Sequence, residues 1–306
     1  MAKKRYNNTE IANKSQRRAV RKYWPVFLLP TVLAFIIGFI WPFFQGIYLS
    51  FFRFKTLSNT TFTGFKNYIS AFSDPSFLRS FWFTSAFTVV SVLLINLIAF
   101  FIALALTRKI RGATLFRTVF FMPNLIGGIV LGYIWKLILN GVIIRLFNST
   151  LALNATFGFW GLIILMCWQQ IGYMMIIYIA GLQNVPTEYL EAASIDGADS
   201  LQILRHITLP VIMPSITICT FLTLTNSFKL FDQNLALTGG QPFLINPDGT
   251  SVHTTEMLAL NIYNTFYGQN INSRGTAQAK AVLFFVLVAA LGLIQLGATR
   301  KKEVQQ

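Results

Sequence analysis

The chain has 306 residues, of which 54% are hydrophobic and 11% charged. Soluble domains carry roughly 25% Asp, Glu, Lys and Arg, so the charge here is too sparse to clothe a water-exposed surface, and 30 Phe deepen the apolar excess. A net charge of +15 would suggest a nucleic-acid partner in a soluble protein. Here the bases flank long apolar runs, which replaces that reading with an integral membrane protein.

Six uncharged stretches are long enough to cross a bilayer, at 25–50, 80–106, 118–135, 157–182, 207–228 and 281–299. Such continuous spans are too long for barrel strands. The predicted fold is therefore all-α, a polytopic bundle of six transmembrane helices. An even number of spans puts both termini on one side. Segments 1–22, 107–117, 183–206 and 300–306 hold sixteen of the 25 Lys and Arg, which assigns that side to the cytoplasm. The resulting division is a basic cytoplasmic tail over 1–24, a membrane domain over 25–299 and a short cytoplasmic tail over 300–306. The first apolar run exceeds a signal-peptide core and lacks an A-x-A-like exit, so an uncleaved start is expected.

The third stretch is interrupted by Pro123 and contains Gly128 and Gly132 in a GxxxG arrangement. That spacing predicts close helix approach, within the chain or, as the second reading, against another membrane subunit. Cys167 and Cys219 fall in apolar segments and read as small core hydrophobes.

No GxxxxGK[ST], HExxH or GxSxG motif occurs, so neither a nucleotide cradle nor catalytic machinery is expected. His206 and His253 fall on opposite sides of the predicted membrane and cannot pair around a metal. All ten acids lie outside the six stretches. Ion-coupled carriers place ionisable groups at mid-membrane; without a buried carboxylate, energy is expected to come from another chain.

The 183–206 loop holds four of the ten acids and one base. Pro186 suits the start of a short helix with Glu188 in its first turn, and Gly197 suits its end. Asp199 and Gln202 have the spacing of a capping box for a second helix that would run into the fifth span at Pro210. Taken singly, each acid reads as a solvated surface group; it is the spacing of the whole unit that points to more.

Glu191-Ala192-Ala193, three residues, Gly197, nine residues, then Ile207-x-Leu209-Pro210 resembles the EAA motif of ABC importer permeases. The context from Val185 to Ala198 is similar to the carbohydrate, maltose-type branch. Phe62 to Tyr68, Phe116 to Pro123, Gly132 to Trp135 and Leu237 to Pro242 agree with it. The resemblance implies a type I importer fold in a bacterial plasma membrane and a role as the non-catalytic permease of a sugar or oligosaccharide importer. It also implies a second homologous permease, two ABC ATPase subunits and an extracellular sugar-binding protein as partners. Apart from membrane lipid, no further partner is implied and no nucleic acid. ATP and Mg belong to the ATPase, with no cofactor on this chain. Glu188, Glu191, Ala192, Ala193, Asp196, Gly197 and Pro210 are then the coupling residues. A self-sufficient carrier or facilitator is the alternative, and the EAA loop separates the two, because a facilitator needs no ATPase dock.

Trp168, Gln169, Gln170 and Tyr173 form a polar and aromatic insertion in the fourth span, and Asn226 and Ser227 end the fifth. Amides and aromatic rings suit sugar hydroxyls and sugar faces, and equally suit hydrogen bonding between helices. By resemblance, Tyr173 and Asn226 match pathway positions of the maltose-type permeases, whereas Gln169, Gln170 and Ser227 depart from them.

Overall fold

A computed structural model describes residues 23–56, 58–108, 111–245, 251–268 and 270–300. The basic tail over 1–22 and the segment 301–306 lie outside them. Twelve helices are described: α1 (Tyr23–Leu49, with a π-turn at Ile36–Ile40), α2 (Lys66–Phe72), α3 (Pro75–Thr107), α4 (Ala113–Phe121), α5 (Gly128–Phe147), α6 (Ala155–Gln183), α7 (Thr187–Ile195), α8 (Ser200–Val211), α9 (Met213–Phe228), α10 (Asp232–Leu237), α11 (Leu258–Tyr267) and α12 (Arg274–Arg300). Two antiparallel hairpins, β1 (Phe52–Thr56) with β2 (Asn59–Phe62) and β3 (Phe243–Ile245) with β4 (Ser251–His253), are additions to an otherwise helical fold.

Five helices are long and apolar enough to span a membrane, and six if the bent pair α8–α9 counts as one span. Counted in the second way, the candidate spans match the six expected. The third span is a correction. Its expected extent was 118–135, whereas the structure ends α4 at Phe121, makes a 3-10 turn over Met122–Leu125 and starts the long helix at Gly128. Pro123, which has no N–H, sits in that turn and separates the two helices. Helix α5 then continues through Lys136 to Phe147, because long cationic stems can lie along apolar surface while their charge reaches water.

Helix α6 is the centre of the bundle. In its most apolar window 61% of the residues are buried, against none in that of α1. Phe87, Ile95, Ala99, Leu162, Met166, Met174 and Cys219 join α3, α6 and α9 in one core. Cys219 is buried and Cys167 half-buried, both unpaired thiols, as their apolar surroundings predicted. Hydrogen bonds reinforce the same three helices: Tyr178 Oη donates to Asn96 Oδ1 at 2.8 Å, and Asn96 Nδ2 to Thr223 Oγ1 at 3.3 Å. With hydrocarbon outside, such bonds and close packing replace the hydrophobic drive of a soluble core. Helix α1 rests on α12 through Phe43 against Phe285, ring centroids 4.9 Å apart.

The GxxxG segment has a partner within the chain. A Cβ on Gly132 would lie 2.5 Å from Ala236 Cβ, and one on Gly128 would lie 2.8 Å from Asp232 Cβ. Helix α10 thus lies directly on the backbone of α5.

One acid departs from expectation. Glu256 is outside the spans but only 2% exposed. It accepts from Asn261 Nδ2 at 2.7 Å and from Ser80 Oγ at 3.5 Å. Nearby, Lys280 at 1% exposure donates to Asp74 at 2.6 Å, Asn261 Oδ1 at 2.9 Å and Thr265 Oγ1 at 2.8 Å. A carboxylate is therefore buried, where it fastens α11 to the start of α3, and Lys280 fastens both to the start of α12.

Candidate functional site

Two regions carry candidate residues: the α7–α8 elbow and a polar cleft beside α6 and α9. The elbow is built by local rules. Pro186 precedes α7 in extended conformation, and Glu188 lies in the first turn. At the other end Gly197 has φ +81°, a left-handed geometry that glycine adopts without steric penalty. Ala198 N donates to Ala193 O at 2.9 Å and Gly197 N to Ser194 O at 3.2 Å, the paired bonds of a Schellman end. Asp199 Oδ1 accepts from Gln202 N at 2.7 Å while Gln202 Oε1 accepts from Asp199 N at 2.8 Å, which starts α8 with a full capping box.

Helix α8 continues through a π-turn at Leu204–Thr208 that holds His206, and then through Leu209, Pro210 and Val211. It meets α9 at a bend of 71°. Pro214 has no N–H to return to the α8 backbone, so the regular helix ladder is broken there. Glu188, Glu191, Ala192, Asp196 and Gly197 are exposed, and Ala193 and Pro210 half-buried. Tyr189 at 57%, Ile195 at 86% and Leu201 at 70% exposure add apolar surface to the same elbow. An acidic and apolar projection is thus hinged at glycine and continuous with a core helix.

The cleft has a volume of about 300 Å3 and is lined by Gln170, Asn226, Lys229, Phe231, Asp232 and Gln233, with Met166 and Leu230 beside them. Gln170 is 9% exposed and its Oε1 has no hydrogen-bond partner among the described residues. Gln169 stands behind the lining: its Oε1 accepts from Gln233 Nε2 at 2.7 Å and its Nε2 donates to Ile126 O at 3.3 Å. Trp168 packs edge-on against Trp135, centroids 5.5 Å apart, and Tyr173 stands 6.5 Å from Phe121. Ser227 is fully buried and its Oγ has no hydrogen-bond partner among the described residues.

Of the six pathway candidates, the cleft brings together Gln170 and Asn226. Gln169 supports it, and Trp168, Tyr173 and Ser227 are not in its lining. Lys229, Phe231, Asp232 and Gln233 escaped the sequence reading. Their signal was position, directly after Asn226-Ser227-Phe228 at the turn into α10, where Asp232 occupies the first turn.

No group of three or more His, Cys, Asp or Glu among the described residues is arranged to hold a metal ion.

Residues 113–301 match the family described as "Binding-protein-dependent transport system inner membrane component". The chain is 41% identical over 291 residues to the probable starch degradation products transport system permease protein AmyD of Thermoanaerobacterium thermosulfurigenes, covering 92% of this chain and 95% of that one. It is 31% identical over 298 residues to the multiple sugar-binding transport system permease protein MsmF of Streptococcus mutans, covering 94% and 99%. Its fold is similar to a chain in the structure of the bacterial alginate ABC transporter in complex with an alginate pentasaccharide-bound periplasmic protein. The TM-score is 0.73 at 19% identity, over 93% of this chain and 96% of that one. The family match takes in α4 to α12 and well over half of the sequence, so the chain belongs to the binding-protein-dependent transport system inner membrane components.

Proposed function

We propose that this multi-pass protein is a permease subunit of a carbohydrate ABC importer, forming half of a translocation pathway and taking its driving force through the α7–α8 elbow. The carrying observation is the elbow itself: an exposed, acidic, glycine-ended helix that runs through its capping box and a 71° bend into core helix α9. Movement of α7 by an attached motor would turn α9 and with it Asn226, on the wall of the cleft. Glu188, Glu191, Ala192, Ala193, Asp196, Gly197 and Pro210 are the coupling residues of this reading.

In the cleft, the free Gln170 Oε1, the Asn226 amide, Lys229, Asp232 and Gln233 offer donors and acceptors for sugar hydroxyls, and Phe231 an apolar face. The starch-product and multiple-sugar systems of the relatives support the substrate class. The proposed partners are a second homologous permease, two ATPase subunits carrying ATP and Mg, and an extracellular sugar-binding protein; the alginate transporter's periplasmic protein supports the last. The chain is non-catalytic and lies in a bacterial plasma membrane with both termini cytoplasmic, as the bias of Lys and Arg supports. ATP binding on the partners shifts an equilibrium between inward- and outward-open states.

The test is affinity purification of the full chain from its own host, followed by ATPase assays with a sugar panel. An ATPase and a second permease are expected to accompany it, with hydrolysis stimulated by a sugar-loaded binding protein. A chain that purifies alone and has no sugar-stimulated hydrolysis would overturn the proposal.

A further inference from the structure

Between the elbow and the ends of the spanning helices lies a second cavity of about 650 Å3. Leu104 and Thr107 come to it from the end of α3, Leu182 from the end of α6, Leu190 from α7, and Leu201 and Leu204 from α8. The volume falls in the range of about 300–1,000 Å3 found for pockets that bury most of an organic ligand. Its inner wall is largely apolar, and Arg108 stands at its edge, exposed. Arg111 is exposed on the connection to α4, and Arg117 donates through Nη2 to Leu106 O at 2.9 Å, its buried Nε having no hydrogen-bond partner among the described residues. Among the described residues the ion pair present is Lys280–Asp74, so the Arg108 guanidinium in the lining has no carboxylate in contact. Apolar depth at the end of two spans, with one unpaired guanidinium in the lining, is the chemistry of an anionic amphiphile. Basic pockets between transmembrane helices on the cytoplasmic side bind anionic headgroups in this way.

We infer that this cavity is a binding site for an anionic phospholipid, its acyl chain among Leu104, Leu182, Leu190 and Leu204 and its phosphate at Arg108. The leaflet named, the inner one, rests on the topology proposed above; the site itself does not. A lipid seated there fills the space between the elbow and the bundle, so the stiffness of the coupling arm depends on the charge of the surrounding leaflet.

The test uses the purified full chain alone in phosphatidylcholine vesicles, with no ATPase and no sugar, so its failure is separable from failure of the transport reading. A phosphatidylglycerol probe carrying a photoactivatable group on its acyl chain is titrated in, and crosslinked residues are mapped by mass spectrometry. Saturable crosslinks to Leu104, Leu182, Leu190 and Leu204 are expected. Arg108→Gln should raise the half-saturating lipid fraction about fivefold, the effect of roughly one basic residue at a charged surface, and Arg108→Lys should restore it. Arg108 is exposed, so neither change threatens folding. Equal labelling by a phosphatidylcholine probe would overturn the inference, as would displacement by millimolar inorganic phosphate, which would mark a free-anion site. Crosslinks confined to the outer faces of α1, α5 and α12 would also overturn it, as would labelling lost on adding companion subunits that occupy the cavity.

Discussion

At the scale of single residues, Gly197 is the position where the elbow is most constrained. Its φ of +81° costs a residue with a Cβ roughly 1–2 kcal/mol, and proline is locked near φ −65° and lacks the N–H that bonds Ser194 O. Gly197→Pro should therefore dissociate ATP hydrolysis from uptake while the chain still enters the membrane. Glu191→Lys should do the same without touching the fold, since Glu191 is exposed. Transport and hydrolysis assays on reconstituted complexes check both, and normal uptake by both variants would remove these residues from the coupling role. This part of the molecule was legible in the sequence because it obeys local rules: Pro186 before the helix, Gly197 after it, Asp199 with Gln202. The cleft was less so. Gln170 and Asn226 announced themselves as amides in apolar helices, but their neighbours Asp232 and Gln233 come from α10, and no local pattern says where α10 packs. Gln169 looked identical to Gln170 on the page, yet successive positions on a helix point in different directions, and one supports the cleft while the other lines it.

Among elements, the contact of α5 with α10 is the most sensitive to volume. Gly132→Leu drives a side chain into Ala236, whose Cβ would stand 2.5 Å from the new Cβ. Overpacking of this kind costs about 1–3 kcal/mol, and displacing α10 moves Asp232 and Gln233 out of the cleft. The expected outcome is weakened sugar uptake from an inserted, assembled chain, with Gly132→Ala milder; transport assays beside assembly measurements distinguish this from misfolding. The GxxxG spacing was visible from the start, but its partner was not, because small residues permit close approach without naming what approaches. Conversely, the sequence hid the third span by placing Lys136 at its middle and Pro123 before it, so a rule based on uncharged runs stopped too early. The Lys280 junction makes a second prediction at this scale. Removing one member of a buried pair costs about 3–5 kcal/mol, whereas exchanging both for apolar residues is often neutral. Asp74 is 31% exposed, so the lower end applies. Lys280→Met should lower the thermal midpoint in detergent, and adding Asp74→Leu should recover only part of it, because Asp74 also caps α3 through Ser76 N and Lys280 also serves Asn261 and Thr265.

For the whole molecule, the bundle divides into a firm interior and lightly held edges. Helices α3, α6 and α9 share one core with internal hydrogen bonds, whereas α1 is exposed over most of its length and rests on α12 near its C-terminal end. The fold class was legible from charge scarcity and span length, which depend only on the solvent being hydrocarbon. The second elbow helix was legible as one that runs toward the fifth span at Pro210, but the bend was not: the span expected over 207–228 breaks at Ile212, before Pro214, and 207–211 belong to α8. The central claim is that this chain moves solute only when something grips the elbow. Solute uptake by vesicles containing the full chain, with and without its companion ATPase subunits and MgATP, tests that most directly. The account predicts accumulation only when ATPase and nucleotide are both present, and loss of it in Glu191→Lys. Selective uptake by the chain alone, without nucleotide, would contradict it.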